Sequence, residues 1–367
     1  MRIIVSGGGT GGHIYPAISI ADRFKEEYPD LEIFYVGVRD GLESRIAAQY
    51  GYEFRGLEVK GFQRKISLEN VKRVILAAKA MKEASEIMRE FRPDIVIGTG
   101  GYVCGPVVMA ASRAGAVTAV HEQNAFPGIT NKILAKKADR VFLGFEAARQ
   151  RMKCKNDPIT VGNPVRKDIR MPLERSAARK KLGISDETAF ILVTGGSGGF
   201  GAINDAFIKI IPDLIQRNVE FAFSTGRYYY EPVIKTLKDM GIKTDFRVFE
   251  YIDSMPDYLS ASDLCIVSAG ATTLAEINAV GRPSIIVPKA YTSENHQEYN
   301  ARYIKSMEAG EYILEKELSG ELLYEKIMDI IENPEKRKLM EENSRKLNDG
   351  DPCEAIIKEL SQLIKVK

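Results

Sequence analysis

Short apolar runs rich in β-branched residues alternate with amphipathic stretches along most of the chain. RIIV, EIFYVG, DIVIGT, AVTAVHE and RVFLGF fall in the first half; FILVTG, EFAFST, RVFEYI, LCIVSAG and PSIIVP fall in the second. Segments of helical periodicity, such as Ile66–Arg89 and Ala202–Arg217, lie between them. Strands alternating with helices predict parallel sheets covered on both faces, and the unbroken apolar character of the middle strands is what double burial requires. The pattern is written twice: IIVSGGGTGGH opens the first half and FILVTGGSGGFGA the second, each as strand, glycine loop and helix. The polar, Pro-bearing stretch Asn156–Lys181 reads as the link. An α/β protein of two Rossmann-like domains separated by a deep cleft is expected, with residues 1–163 in the first and 164–351 in the second. The amphipathic helix 352–367 can pack back on the first domain or on the second.

The length of 367 residues suits two domains rather than one. Apolar residues make up 44% and charged residues 28%, the balance of a soluble globular chain. A formal net charge of +2 supplies no global field for nucleic acid, so no such partner is expected. Cys104, Cys154, Cys265 and Cys353 are scattered without a C-x-x-C pair, which reads as a reduced cytosolic protein with no structural metal. The chain shows no signal-peptide pattern and no apolar run of about 18 residues, so a membrane span is not expected.

Four glycine loops follow strands. Gly7-x-Gly9-x-x-Gly12 and Gly196-x-Gly198-x-x-Gly201 share one spacing, and Ile97–Pro106 and Val267–Thr273 are the other two. Glycine lets backbone approach a phosphate, and the helix that follows offers free N–H groups and a partial positive charge. One such loop is weak evidence; several at strand ends in two domains point to an anionic ligand. A dinucleotide site requires an acidic residue at the end of the second strand, and Asp40 lies beyond a glycine, out of place. No G-x-x-x-x-G-K-[ST] occurs. Asp349-Gly350-Asp351 has the spacing of a metal-binding pair but sits in a Pro/Gly loop far from a strand end, and reads as plain loop.

The histidines His13, His121 and His296 fall in the polar motifs SGGGTGGH, VHEQNAFPG and ENHQEYNA. Each motif has two readings, ligand contact or satisfaction of helix starts and loop backbone. Thr273-Leu274-Ala275-Glu276 poses the choice most sharply: a T-x-x-E capping box, or a carboxylate accepting both hydroxyls of a ribose. His13 stands in the first turn of a helix, whose dipole disfavours the imidazolium form; a neutral imidazole suits a general base.

GGTGGH, GGYVCGP, HEQN, GNPVR, YIDSM, AGATTLAE and HQEYNA occur in this order across Gly8–Ala301. On these motifs the chain resembles the MurG family, glycosyltransferases of the GT-B fold that convert lipid I to lipid II in peptidoglycan synthesis. The resemblance implies inverting transfer of N-acetylglucosamine from UDP-GlcNAc to the MurNAc 4-hydroxyl of a polyprenyl-diphosphate lipid. It implies no obligatory metal and no other cofactor, and a place at the cytoplasmic membrane face. It assigns Arg166 and Ser197 to the donor diphosphate, with Ala271 and Thr272 beside it. The backbone at Ile252 is assigned to the uracil edge, Glu276 to the ribose, and His296 and Gln297 to the sugar hydroxyls. For the acceptor it assigns Thr10, Gly11, Gly12, Tyr102 and Asn124 to binding, and His13 with Glu122 to catalysis, His13 as the candidate base. Two alternatives stay open: another UDP-sugar enzyme of this fold, acting on a different lipid or as an epimerase, and a non-catalytic nucleotide-sugar-binding protein.

Three features depart from the family pattern. Ser268 stands where relatives carry Arg, Cys104 where they carry Ser, and the glycine-rich GGSGGFGA loop is expected to be looser. A further segment bears on location: Lys72, Arg73, Lys79 and Lys82 lie beside Val74, Ile75, Leu76 and Met81. This is either an apolar patch ringed by bases, drawn to anionic lipid, or a helix packed on the sheet with a solvated basic face.

Overall fold

The computed structural model describes residues 1–61, 68–196, 198–243, 247–348 and 350–366. The chain forms two compact units, Met1–Val165 with Gly350–Lys367, and Arg166–Asp349. The first is built on parallel strands β1 (Arg2–Ser6), β2 (Glu32–Val38), β3 (Glu53–Leu57), β4 (Ile95–Gly98), β5 (Val117–Glu122), β6 (Arg140–Leu143) and β7 (Ile159–Thr160). They are ordered β3-β2-β1-β4-β5-β6-β7. The two-residue period of a strand sends Ile4, Val36, Val96 and Val120 to one face and Ile3, Val5, Tyr35, Ile95 and Ile97 to the other. Helices Leu68–Phe91 and Cys104–Ala114 cover the first face through Ala80, Ala84, Met88, Val107 and Ala111. Helix Gly11–Glu27 covers the second through Ile14, Ala17, Ile18 and Phe24, joined by Cys353, Ile356, Ile357 and Leu360 of the last helix, Pro352–Val366.

The second unit carries β8 (Phe190–Thr194), β9 (Glu220–Ser224), β10 (Val248–Phe249), β11 (Leu264–Ser268), β12 (Ser284–Val287) and β13 (Gly310–Tyr312), in the order β10-β9-β8-β11-β12-β13. Helix Gly201–Gln216 buries Ile203, Phe207, Ile211 and Leu214 against Ile191, Val193 and Phe223. At the foot of β11 the buried Asp263 accepts from Arg179 Nη2 at 2.5 Å and from the Phe190 N–H at 2.8 Å. Arg179 Nε reaches the Ala261 carbonyl and Nη1 those of Ser185, Asp186 and Thr188, so each nitrogen of this buried guanidinium has a partner. Arg175 pairs with the other oxygen of Asp263, so it is removal of Asp263 that strands a buried charge, that of Arg179, at a cost of about 3–5 kcal/mol.

In each sheet the winding reverses once, between β1 and β4 and between β8 and β11. Open α/β sheets bind ligands beyond the carboxyl ends of strands at such points. Both points are flanked by the glycine loops.

The ten apolar runs of the sequence all form strands, but β3, β7 and β13 at sheet edges were not among them. The stretch Asn156–Lys181 is more than a link, since it contains β7 and the helices Lys167–Arg170 and Arg175–Leu182. The helix expected at Ile66–Arg89 runs Leu68–Phe91, and Ile66 lies outside the described residues. Among the described residues no helix is long and apolar enough to cross a membrane.

Candidate functional site

In the first unit the loop Gly7–Thr10 links β1 to helix Gly11–Glu27 and rests on the loop after β4. Gly8 N–H donates to Gly100 O at 3.2 Å, and Gly101, at φ +85°, lies so near that a Cβ there would stand 2.3 Å from Gly8 O. Side chains prop the loop from below. Tyr35 donates its hydroxyl to Gly7 O at 2.7 Å, and Thr99 Oγ1 stands 2.7 Å from His13 O. Glu43, fully buried, accepts from Val38 N–H at 2.9 Å and from Gly9 N–H at 3.4 Å. Cys104 Sγ is enclosed among Ser6 O, Gly100 O and Gly100 N–H, and burial pushes its thiol up to about 11, so it acts as packing.

His13 Nδ1 lies 3.0 Å from Gly8 O and 3.5 Å from Thr10 Oγ1. A carbonyl only accepts, so Nδ1 carries the proton and a neutral ring keeps its lone pair on Nε2. The ring lies against Gly100, where a Cβ would come within 2.9 Å of Nε2. Thr10 is the N-cap residue of the helix without a side-chain cap bond, and Gly11 and Gly12 form the first turn. Tyr102 is 38% exposed beside Gly9 and Gly61. Its phenol is held above its ordinary value by burial and then by the Glu43 charge. These residues come together around one loop.

The HEQN motif sits at the end of β5. Glu122 is 1% exposed and both its oxygens are engaged. Oε1 accepts from Asn124 N–H at 2.9 Å and Asn124 Nδ2 at 3.2 Å; Oε2 accepts from Gly128 N–H at 3.0 Å and Asn131 Nδ2 at 2.9 Å. The carboxylate expected to join His13 in catalysis is therefore the tie that closes its own loop, and it also orients Asn124. His121 is buried, donating from Nε2 to Gly162 O at 3.0 Å and accepting at Nδ1 from Gln123 Nε2 at 3.0 Å. Burial lowers its pKa to about 4, so it is a neutral structural imidazole.

In the second unit the loop Gly195–Phe200 precedes helix Gly201–Gln216. Ser197, expected at the diphosphate, lies outside the described residues. At Gly195 and Gly199 close approach of other backbone requires glycine. A Cβ on Gly199, at φ +73°, would stand 2.2 Å from Thr225 O, and one on Gly195 2.3 Å from Phe200 N. Ser268 donates from Oγ to Gly195 O at 3.1 Å. Helix Ala271–Val280 has Gly270 as its N-cap residue and no side-chain cap bond, so the capping-box reading of Thr273 and Glu276 fails. Thr272 Oγ1 is buried without a hydrogen-bond partner. Glu276 instead takes Arg166 Nε at 2.9 Å; burial raises its pKa and the Arg166 charge partly offsets this. Ile252 is buried at the loop after β10. His296 and Gln297 open helix His296–Ser306, after Glu294 and Asn295 in the left-handed region at φ 56° and 53°. Gln297 Oε1 accepts from Lys289 N–H at 3.0 Å.

The sequence reading missed Glu43, Tyr35, Thr99 and Lys289. In the fold, Gly8, Gly37 and Gly41 are the residues whose missing side chains make room for Glu43. The apolar segment is divided in use. Ala80, Ala84 and Met88 of helix Leu68–Phe91 are buried, whereas Val74 and Ile75 are 57% and 65% exposed. Arg73 donates to Gly61 O and Lys79 pairs with Glu58; the Lys72 side chain lies outside the described residues. Of Asp349-Gly350-Asp351, Asp349 also lies outside them, while Asp351 accepts from Arg23 Nε at 3.1 Å and caps Cys353 N–H at 2.9 Å.

Two such units, each with a glycine loop and helix start at its switch point, define a class of α/β proteins built to take anionic ligands. Residues 3–143 match the model of the glycosyltransferase family 28 N-terminal domain and residues 190–356 that of its C-terminal domain, which makes the chain a glycosyltransferase. A relative from Clostridioides difficile (strain 630) is 48% identical over 325 residues, covering 88% of this chain and 79% of its own. One from Bacillus subtilis (strain 168) is 40% identical over 365 residues and the whole of both chains. Both are named UDP-N-acetylglucosamine–N-acetylmuramyl-(pentapeptide) pyrophosphoryl-undecaprenol N-acetylglucosamine transferase, and the chain belongs to that family. Among solved structures it is similar to MurG of Acinetobacter baumannii, with TM-score 0.76 and 24% identity over 98% of this chain and 99% of that one. It is also similar to a putative UDP-N-acetylglucosamine 2-epimerase of Listeria monocytogenes, with TM-score 0.71 and 14% identity over 100% and 97%. These likenesses carry the GT-B fold, which transferases and epimerases share.

Proposed function

We propose that the protein transfers N-acetylglucosamine from UDP-GlcNAc to the MurNAc 4-hydroxyl of lipid I, giving lipid II, with inversion at the anomeric carbon. The second unit holds the donor. Arg166 and the helix start at Ala271 and Thr272 meet the diphosphate with Ser197, Ile252 reads the uracil, Glu276 takes the ribose, and His296 and Gln297 take the sugar. The first unit takes the acceptor diphosphate on Thr10, Gly11 and Gly12, flanked by Tyr102 and Asn124. In the single displacement the acceptor oxygen bonds to C1 as its proton passes to His13 Nε2. The C1–O bond to the β-phosphate breaks, and its electron pair leaves with UDP. Glu122 orients the loop rather than exchanging protons. Helix N-termini and Arg166 meet the charge on the departing diphosphate. The observation that supports this reading is the contact of His13 Nδ1 with Gly8 O at 3.0 Å, which puts the proton of a neutral ring on Nδ1 and makes Nε2 its acceptor.

The protein works as a peripheral enzyme on the cytoplasmic membrane face, with Val74 and Ile75 set in anionic lipid and the neighbouring bases on headgroups. The test is transfer of labelled N-acetylglucosamine from UDP-GlcNAc to a lipid I analogue. Product that depends on the analogue, with release of UDP, is expected. Conversion of UDP-GlcNAc without acceptor would favour an epimerase, and binding without turnover a non-catalytic protein.

A further inference from the structure

Lys289 lies two residues beyond the end of β12, at the carboxyl edge of the second sheet. A lysine there ordinarily sends its ammonium to water. Here Nζ turns inward and donates to Gly199 O at 2.9 Å, in the glycine loop, while standing 5.1 Å from the centre of the Phe200 ring. Its backbone N–H donates to Gln297 Oε1 at 3.0 Å. One residue thus touches both the loop before helix Gly201–Gln216 and the start of helix His296–Ser306.

The position is electrostatically unusual. Helix Gly201–Gln216 presents the positive end of its dipole at this loop, where cations are disfavoured and anions favoured. Burial holds the ammonium below its ordinary pKa, and Glu315 offsets this in part. The Glu315 carboxylate, however, accepts from Ala290 N–H at 2.8 Å. Elsewhere on the loop Ser268 contributes a neutral hydroxyl to Gly195 O. A cation and a helix N-terminus converge on one glycine loop, and the neighbouring helix start adds the buried, unpartnered Thr272 Oγ1. An anion at that loop would pair with the ammonium and with the helix start.

We propose that Lys289 is a donor-binding residue: its ammonium contacts the diphosphate of the sugar nucleotide and offsets the charge that gathers there as UDP leaves. Through Gln297 the same residue ties the diphosphate cradle to the sugar-holding helix. The inference rests on the assignment of the donor to the second unit.

The test compares binding of UDP and of uridine by calorimetry to the full-length protein and to Lys289→Gln and Lys289→Arg. Glutamine can keep the hydrogen bond to Gly199 O but carries no charge. Loss of one charge-assisted contact corresponds to about a tenfold or larger weakening of UDP binding. Lys289→Gln is expected to show this with uridine unchanged, and Lys289→Arg to stay within about threefold of wild type. An unchanged UDP affinity in Lys289→Gln, or an equal loss for uridine and UDP, overturns the proposal and leaves Lys289 a structural brace. Wild-type protein that fails to bind UDP overturns the donor assignment as well.

Discussion

In the first unit the glycine loop after β1 stands on side chains: the Tyr35 hydroxyl under Gly7, the Glu43 carboxylate under Gly9, and Thr99 under the backbone of His13. In the second unit the loop after β8 packs closely on backbone, with Gly199 pressed on Thr225 and Gly226, while the side chains of Thr194, Ser268 and Lys289 bond its backbone. The two begin from the same G-x-G-x-x-G spacing. A loop on side-chain props can carry an oriented imidazole at its end. Around the second loop the charged side chains come from neighbouring elements: Arg166 and Glu276 pair with each other, and Lys289 reaches Gly199 O. The spacing specifies a turn into a helix; the two loops differ in what supports it.

The largest effect expected from this contrast is kinetic. His13→Ala should lower turnover by about a hundredfold to ten-thousandfold, the range for loss of a general base, with UDP affinity unchanged. Near-normal turnover would remove proton transfer from the first loop and make the two loops alike. Next comes acid. His121 has a pKa near 4 in the fold against 6.5 in a free chain, so between these values the unfolded protein binds more protons. Stability therefore rises with pH across that window, and about 3 kcal/mol is lost as pH falls through it. Urea unfolding at pH 7 and pH 5 should show this in wild type and a flatter response in His121→Gln; equal slopes would rule out the buried neutral ring.

A direct probe of the props against the backbone packing is alanine at each loop. Gly199→Ala places Cβ on the Thr225 carbonyl at a positive φ and should cost about 1–3 kcal/mol. Gly8→Ala meets the ends of the Glu43 and Val103 side chains, which can move, and should cost less by thermal melting. The reverse order would sink the distinction. The smallest effect is expected at Glu276. Glu276→Gln should raise the KM for UDP-GlcNAc about tenfold with little change in kcat, while a fall in kcat alone would place Glu276 outside donor binding.

Apart from the short edge strand β10, the strands that could be read in the sequence lie inside the sheets, where apolar residues run without interruption. β3 (EFRGL), β7 (IT) and β13 (GEY) lack that signature because a sheet edge is half solvated and tolerates charge and glycine. Glycine loops and histidines were visible because their residue types are rare and their spacing is local. Glu43 was not, because its role depends on a fold that carries it from after β2 to beneath Gly9, 34 positions away in the chain. Glu122 shows the opposite difficulty. An acidic residue beside His121 and Asn124 suggests chemistry, and only the four donors around its two oxygens reveal that it is holding a loop.

The last helix, Pro352–Val366, completes the core of the first unit with Cys353, Ile356, Ile357 and Leu360. A chain emerges from the ribosome amino end first. The unit that is begun first therefore waits for its final wall until the second, contiguous from Arg166, has been made in full. During synthesis the second unit is free to mature while the first still lacks part of the cover on one face of its sheet. A nascent chain stalled before Pro352 should accordingly protect the second half from protease sooner than the first.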